Sequence, residues 1–179
     1  MIWPMHVTRC VTMKIVPEDR SVEQEKVDAI VEAGRIAPSA HNFHPTRIVV
    51  CDTPELLAKA AACEPRFEKN GSIFGAPLAF VVCVKTEDAW VRSYDDMNSS
   101  LIDTSIVCDQ MMMAATDLGL GTCWVCAFDP EVARREFDIP EGVEPVSILV
   151  AGYAQPRELD PERREARRIP LAQFTDVNA

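Results

Sequence analysis

The sequence predicts a sheet covered by helices on both faces, a three-layer protein of the α/β or α+β class. Short runs of β-branched residues alternate with segments that open on helix-capping residues. One internal segment is apolar on nearly every side, which is typical of a helix buried in a domain or at a subunit interface. A chain of 179 residues is long enough to bury a core of its own. We therefore predict a single domain over residues 1–179, with residues 155–179 as an extended C-terminal arm.

Capping residues place three of the helices. Ser21 and Gln24 have the spacing of a capping box, which predicts that the first helix begins beside them. Two further helices begin where a capping side chain directly precedes a proline. They are predicted over residues 55–62, after Thr53 and Pro54, and over residues 131–137, after Asp129 and Pro130.

The apolar segment and the β-branched runs give the remaining elements. The apolar helix is predicted over residues 105–118, with Gly119 as its C-terminal cap. The strands are predicted over residues 47–51, 78–84, 122–126 and 146–152, and the irregular segments over residues 64–72 and 86–99. Strands that alternate with helices in this order indicate a sheet that carries helices on its faces.

Charge and hydropathy exclude several kinds of partner. The chain has 18 Lys and Arg against 28 Asp and Glu, a formal net charge of -10, whereas proteins that bind nucleic acid or anionic membranes carry a basic surplus. No run approaches the roughly 20 apolar residues of a membrane-spanning helix. The start of the chain lacks the pattern of a secretory signal. We therefore expect a cytoplasmic protein without nucleic-acid or membrane partners.

The cysteines and histidines do not indicate redox or metal chemistry. Seven cysteines, four of them in apolar runs, are typical of free thiols in a reducing compartment. Cys123 and Cys126 match a C-x-x-C motif, but they fall on a predicted strand, where positions three apart point to opposite faces. A structural role is therefore favoured over thiol redox chemistry or zinc binding. The three histidines, His6, His41 and His44, lack the surroundings of a metal site, so none is expected.

A polar segment between two prolines is the strongest candidate site. Residues 38–45 link the first helix to the first strand and carry Ser39, Asn42 and His44. Prolines at both ends stiffen such a segment. The Asn42 amide offers an acceptor and two donors, which suits the edge of a heterocycle. On spacing alone, a polar helix-to-strand connection remains the alternative interpretation.

A second candidate lies where the apolar helix ends. Gly119 and Gly121 permit either a close backbone approach to a ligand or a tight turn into the next strand. The third glycine of a dinucleotide fingerprint is absent and the order is helix then strand, so the dinucleotide motif does not apply. No nucleophile elbow, P-loop or acid–base carboxylate pair can be recognised. Residue spacing alone thus predicts a helix-covered sheet with a polar pocket.

The order of these segments resembles the FMN-dependent nitroreductase family, from about residue 22 to residue 174. The motifs that carry the resemblance are Pro38-Ser39-Ala40-His41-Asn42, Gly119-Leu120-Gly121-Thr122-Cys123-Trp124 and Arg168-Ile169-Pro170-Leu171. The resemblance implies an α+β fold, a three-layer α/β/α sandwich with a mainly antiparallel central sheet, that works as an intertwined homodimer with FMN at each subunit interface. It further implies hydride transfer from NADH or NADPH to a nitroaromatic, quinone or similar small acceptor by a ping-pong mechanism.

The resemblance also implies which residues bind the cofactor. Because the flavin carries the chemistry in such an enzyme, no catalytic side chain is assigned. The Pro-Ser-x-x-Asn loop would touch the flavin, the turn and strand after the buried helix would lie beside it, and an arginine of the arm would bind its phosphate. The implied cofactor-binding residues are Arg9, Cys10, Lys14, Pro38, Ser39, Asn42, Gly121, Trp124, Val125 and Arg168. Phe43 and His44 are assigned to the substrate side.

Some positions differ from the family pattern. The segment that supplies two cations and a hydroxyl to the phosphate and ribityl chain corresponds here to residues 8–12, where Cys10 replaces a serine and Lys14 follows closely. His44 replaces a glutamine and Thr46 a tryptophan. The alternative function is therefore a flavin-binding protein of the same fold with little or no turnover.

Overall fold

A four-stranded antiparallel sheet forms the centre of the protein. A computed structural model describes residues 20–153, 162, 166 and 168–175. The strands of this sheet are β1 (Thr46–Cys51), β4 (Leu78–Lys85), β5 (Leu120–Val125) and β6 (Val143–Tyr153), in the spatial order β1-β4-β6-β5. All neighbouring pairs are antiparallel. Between β1 and β4 in the chain, β2 (Glu68–Lys69) and β3 (Ser72–Ile73) form a separate short ribbon.

Two pairs of helices cover the two faces of the sheet. One face carries α1 (Gln24–Arg35) and α3 (Ser100–Asp117), and the other carries α2 (Pro54–Ala62) and α4 (Pro130–Glu136). A short helix, α5 (Leu171–Phe174), lies in the C-terminal arm. The three-layer α+β architecture with a mainly antiparallel sheet is therefore confirmed, and the predicted strands end within three residues of the observed ones.

The central strand β4 separates two cores. Successive side chains of a strand point to opposite faces. Phe80 and Val82 pack with α1 and α3, whereas Val81 and Cys83 pack with residues of α2 and α4. All four side chains are buried. A strand that is buried on both faces has a continuous apolar sequence, as this one does.

Two of the three predicted helix caps are confirmed. Thr53 Oγ1 accepts a hydrogen bond from the Leu56 backbone N–H at 3.3 Å, at the start of α2. Asp129 Oδ1 accepts hydrogen bonds from the Glu131 and Val132 backbone N–H groups at 2.9 and 3.2 Å, at the start of α4. Each cap satisfies backbone donors that have no partner inside the helix.

The predicted capping box at the start of α1 is wrong. Glu23 is the N-cap residue, and no side chain caps the helix. The Glu23 carboxylate instead accepts a hydrogen bond from the Tyr153 hydroxyl at the end of β6, which is the largest cause that lowers the pKa of Glu23 to about 2. Arg20 pairs with the same carboxylate and lies over the Tyr153 ring. Contacts with a distant strand therefore fix the start of α1 in place of a local cap.

The apolar helix α3 is longer than predicted. It begins at Ser100 rather than at residue 105, because Ser100, Asp103 and Thr104 interrupt the apolar pattern in its first turn. In the described part of the chain it is not covered on every side. Met111 is buried, but Leu101 and Ile102 are 61% and 53% exposed. An apolar face therefore remains open at the start of α3.

α1 packs closely against α3 at Gly34. A Cβ atom at this position would lie 2.9 Å from Met111 Cγ and 3.3 Å from Val107 Cγ1. We expect Gly34→Ala to lower the free energy of unfolding by about 1 kcal/mol, because overpacking outweighs the gain in helix propensity. In a Met111→Ala background the closest contact is gone and Val107 Cγ1 alone stays near, so Gly34→Ala should then stabilise the protein by up to about 1 kcal/mol. Urea unfolding of the four proteins measures both values, and equal effects in the two backgrounds would contradict the packing argument.

Candidate functional site

The loop of residues 38–45 has an unusual backbone conformation. His41, Asn42 and His44 have φ angles of 51°, 60° and 49°, in the left-handed region that residues other than glycine rarely adopt. Each such residue costs about 1–3 kcal/mol and persists only where the surrounding structure imposes it. Strained residues of this kind cluster at binding and active sites. The backbone therefore marks the 38–45 loop as a candidate site independently of its sequence.

A buried carboxylate on α3 holds the 38–45 loop in place. Asp103 is 1% exposed. Its Oδ1 accepts a hydrogen bond from the Ala40 backbone N–H at 2.8 Å, and its Oδ2 accepts one from the Ser99 hydroxyl at 2.7 Å. The predicted site does not include Asp103. A lone carboxylate at the start of an apolar helix could have indicated it, because a buried Asp needs a partner.

Three of the predicted site residues meet within the 38–45 loop. Ser39 Oγ accepts a hydrogen bond from the His44 backbone N–H at 3.0 Å. His44 Nε2 lies 2.9 Å from Asn42 Oδ1. Asn42 and His44 are exposed, as is Pro38 at the start of the loop, while Ser39 is half-buried. The loop therefore presents a histidine–amide pair at the surface of the chain.

Aromatic rings adjoin the histidine–amide pair. His41 stacks on Trp90 with ring centroids 5.3 Å apart, and Phe43 lies against His41 at 5.8 Å. Phe43 is more than half exposed. Trp90 belongs to the segment that was predicted only to be irregular, and no local pattern in the sequence links it to the loop. The stack gives the exposed loop a rigid apolar neighbour.

A cavity of about 200 Å³ lies beside the 38–45 loop. Its lining includes Gly34, Ser39, His44, Thr46, Arg47 and Val107. Pockets that enclose a drug-sized ligand or a cofactor usually have about 300–1,000 Å³. The described part of the chain therefore forms only a portion of such a pocket.

The second candidate segment lies on β5, at one edge of the sheet. Gly121 and Val125 are buried, and Trp124 is 36% exposed. None of the three lines the cavity beside the 38–45 loop. Among the described residues β5 is an edge strand, so alternate backbone N–H and C=O groups point away from β6. The single chain thus does not bring the loop and β5 together at this cavity.

The predicted phosphate-binding residues lie in the terminal segments. Arg9, Cys10 and Lys14 lie outside the described residues. Arg168 is exposed in the C-terminal arm. Eight arginines fall in the part of the chain that the structure describes, and seven of them pair with a carboxylate, Arg168 being the exception. Within that part of the chain, Arg168 is thus the one arginine whose guanidinium is not already paired with a carboxylate.

Burial makes most of the described cysteines poor candidates for thiol chemistry. All six described cysteines are free. Burial raises the pKa of Cys51 to about 12 and the pKa of Cys108 to about 11. Burial also raises the pKa of Cys123, which is half-buried, while Cys126 is exposed just beyond β5. Reactive thiols need a lowered pKa, which none of the buried cysteines has.

Two kinds of feature are absent from the described residues. No three His, Cys, Asp or Glu side chains in residues 20–153 or the described arm are grouped so that they could hold a metal ion. None of the helices there is long and apolar enough to cross a membrane.

The fold and the site define a class of protein. A three-layer α+β sandwich carries a strained polar loop and a partial cavity, and its polar groups are amides, hydroxyls and cations suited to holding a ligand. The chain belongs to the nitroreductase family, whose family model matches residues 18–64 and 60–153. The resemblance that the order of the motifs indicated is therefore confirmed.

Relatives and solved structures agree with this family. A crystal structure of a nitroreductase family protein from Clostridium difficile has a TM-score of 0.88 at 35% identity, with 100% of this chain and 99% of that chain covered. A Methanothermobacter thermautotrophicus protein, named provisionally as an NADH dehydrogenase or NAD(P)H nitroreductase, is 32% identical over 145 residues, which are 76% of this chain and 69% of that protein. The FMN reductase (NAD(P)H) of Bacillus subtilis is 25% identical over 173 residues, 87% of this chain and 64% of that protein.

Proposed function

We propose that this protein is an FMN-dependent oxidoreductase that transfers hydride from NADH or NADPH to a nitroaromatic, quinone or similar small acceptor by a ping-pong mechanism. The 38–45 loop carries the proposal, because buried Asp103 imposes a strained conformation on the segment that holds Ser39 and Asn42. A strain maintained in this way pre-organises groups for a ligand. The names of two relatives, an FMN reductase and an NAD(P)H nitroreductase, support the choice of cofactor and hydride donor.

The polar groups of the site suit FMN. The Asn42 amide can meet the donors and acceptors that alternate along the edge of a flavin ring. The Arg168 guanidinium can bind a phosphate through two parallel hydrogen bonds. In a chain with a formal net charge of -10, a phosphate requires such local cations, and Arg9 and Lys14 are proposed to add to them. The donor set therefore fits the group.

The side chains of this protein bind and orient, while bound FMN supplies the acceptance and release of hydride. Asn42 and Ser39 hydrogen-bond the ring and ribityl chain, and Asp103 keeps the loop that carries them rigid. Phe43, beside the stacked rings of His41 and Trp90, excludes water from the substrate side. Holding both substrates in turn against the same ring requires no nucleophile from the protein.

A second copy of the chain completes the site in this proposal. The cavity of about 200 Å³ is too small for the whole cofactor. Gly121, Trp124 and Val125 on β5 are proposed to lie beside the flavin bound against the loop of the other subunit. Leu101 and Ile102 leave an exposed apolar face, which is typical of an interface. We therefore propose an intertwined homodimer with one FMN at each subunit interface.

An absorbance titration tests the proposed function. Purified protein that has been incubated with FMN and freed of excess should be yellow and carry stoichiometric flavin. NADH or NADPH should bleach the bound flavin in the absence of air, and a nitroaromatic or quinone should then restore the colour. The two separable half-reactions, with parallel double-reciprocal plots, establish the ping-pong order. A preparation that stays colourless after incubation with FMN would contradict the proposal.

The second candidate function is a flavin-binding protein of the same fold with little or no turnover. Cys10, His44 and Thr46 favour it, because they stand where the family pattern has other residues. Yellow protein whose flavin is bleached by neither NADH nor NADPH would support this alternative. Bleaching followed by reoxidation with the acceptor would exclude it.

Thiol redox chemistry at Cys123 and Cys126 predicts a different outcome from flavin chemistry. We expect the Cys123→Ser/Cys126→Ser double variant to keep most of the NAD(P)H oxidation rate, because Cys123 is half-buried and its pKa is raised. Steady-state assays of the FMN-loaded variant and wild type measure this. Loss of activity with full flavin content would show that the thiols take part in the reaction.

A further inference from the structure

The contact between His44 and Asn42 has a defined direction. His44 Nε2 lies 2.9 Å from Asn42 Oδ1. Because an amide oxygen only accepts hydrogen bonds, this contact requires the tautomer in which His44 Nε2 carries the proton and donates it. Oδ1 of Asn42 is then turned toward the imidazole, and Nδ2 with its two N–H donors is turned away. The pair thereby presents the Asn42 amide to the surroundings as a donor.

The backbone of the 38–45 loop fixes the relative position of Asn42 and His44. Asn42 and His44 both have left-handed φ angles, which the loop imposes. The His44 backbone N–H donates to Ser39 Oγ at 3.0 Å, and the His44 carbonyl oxygen accepts from Arg47 Nη1 at 2.8 Å. Both backbone groups of His44 are therefore fixed. The loop therefore holds the two Cα atoms at the separation at which the His44 and Asn42 side chains can meet.

We infer that His44 is a positioning residue that turns the Asn42 amide so that its Nδ2 donors face the cofactor. The inference rests on the proposed function and replaces the expectation that His44 shapes the substrate side. Donors directed at the carbonyl or nitrogen acceptors of a flavin ring stabilise the electron-rich reduced ring more than the oxidised ring. His44 therefore favours reduced flavin through Asn42.

Three variants separate this role from a merely structural one. His44→Leu removes the donor, whereas His44→Gln keeps an N–H group that can reach the same oxygen. His41→Leu is the matched control, since it also places leucine at a left-handed position but removes a ring that contacts Trp90 and Phe43. Thermal unfolding checks that all three variants are folded.

One measurement on the flavin-free protein and one on the flavin-bound protein test the contact between His44 and Asn42. In the flavin-free protein above neutral pH, ¹⁵N NMR should show His44 as the Nε2–H tautomer, and the Asn42 side-chain amide signal should move in His44→Leu but not in His41→Leu. With flavin, the ratio of the dissociation constants for reduced and oxidised FMN should rise about tenfold in His44→Leu, which corresponds to a midpoint potential about 30 mV lower. His44→Gln should restore the wild-type ratio.

The outcomes distinguish this inference from the proposed function. Protonation of His44 on Nδ1 alone, or an unchanged ratio of dissociation constants in His44→Leu, overturns the inference and leaves the proposed function intact. Equal changes of the ratio of dissociation constants in His44→Leu and His41→Leu also overturn the inference, because strain in the loop alone then explains the effect. Failure of the wild-type protein to bind FMN contradicts the proposed function and the inference together.

Discussion

Replacing Asp103 with alanine is expected to lower the free energy of unfolding by about 3 kcal/mol and to weaken FMN binding about a hundredfold. The carboxylate accepts hydrogen bonds from the Ala40 N–H and the Ser99 hydroxyl. A hydrogen bond to a charged group contributes about 1.5–3 kcal/mol. The wild-type carboxylate is itself desolvated, which offsets part of the sum. The free energy of unfolding therefore falls by less than the sum of two such hydrogen bonds.

The effect on FMN follows from the strain in the 38–45 loop. Without Asp103, His41, Asn42 and His44 can leave the left-handed region, which relieves about 1–3 kcal/mol for each residue that relaxes. Binding then has to restore the productive conformation before Asn42 can meet the ligand. A penalty of about 2.7 kcal/mol corresponds to a hundredfold in the dissociation constant.

Two further variants control this experiment. Asp109→Ala removes an exposed carboxylate from the same helix and should change neither quantity by much. Asp103→Asn keeps one acceptor and separates loss of charge from loss of contact. Urea unfolding and FMN titration are measured on all of them. If Asp103→Ala binds FMN as tightly as Asp109→Ala does, the 38–45 loop does not need its contact with Asp103 to bind FMN, and the proposed site is wrong.

Replacing Arg168 with alanine is expected to weaken FMN binding about tenfold to a hundredfold. The reason is the loss of the proposed charge-assisted contact with the phosphate. Arg168 is the one described arginine without a carboxylate partner, so its guanidinium is available for that contact. Riboflavin lacks the phosphate, so its affinity should be the same for wild type and Arg168→Ala. Fluorescence titration with the two flavins measures both affinities.

Arg135→Ala is the control for a general change of charge. Arg135 lies on α4 and pairs with Glu136, on the sheet face opposite to α1 and α3. Added salt should reduce the difference between wild type and Arg168→Ala, since it screens an exposed ion pair. An equal loss of affinity for FMN and riboflavin would show that Arg168 acts on something other than the phosphate.

The parts of the fold that depend on local sequence could be predicted. The β4 run is apolar because both of its faces are buried, and so the run itself indicates a central strand. Thr53 and Asp129 cap α2 and α4 through neighbours within three residues. The family motif likewise points to Ser39 and Asn42, which lie together in the 38–45 loop.

What could not be predicted depends on residues far apart in the chain. Asp103 and Ala40 are 63 positions apart, and their contact exists only because α3 packs beside the loop. Glu23 and Tyr153 are 130 positions apart, and their hydrogen bond replaced the cap that local spacing favoured. The stacking of His41 on Trp90 also joins residues that are distant in the chain. A single sequence read locally carries no signal for such pairs.

The spatial strand order β1-β4-β6-β5 constrains how a newly made chain folds. β6 is the last of these strands to leave the ribosome, yet among the described residues it is the one partner of β5 and one of the two partners of β4. At about 5–20 residues per second, the β5 segment therefore waits some seconds with its backbone unpaired. During that interval one edge of β4 and the whole of β5 are open to wrong pairing.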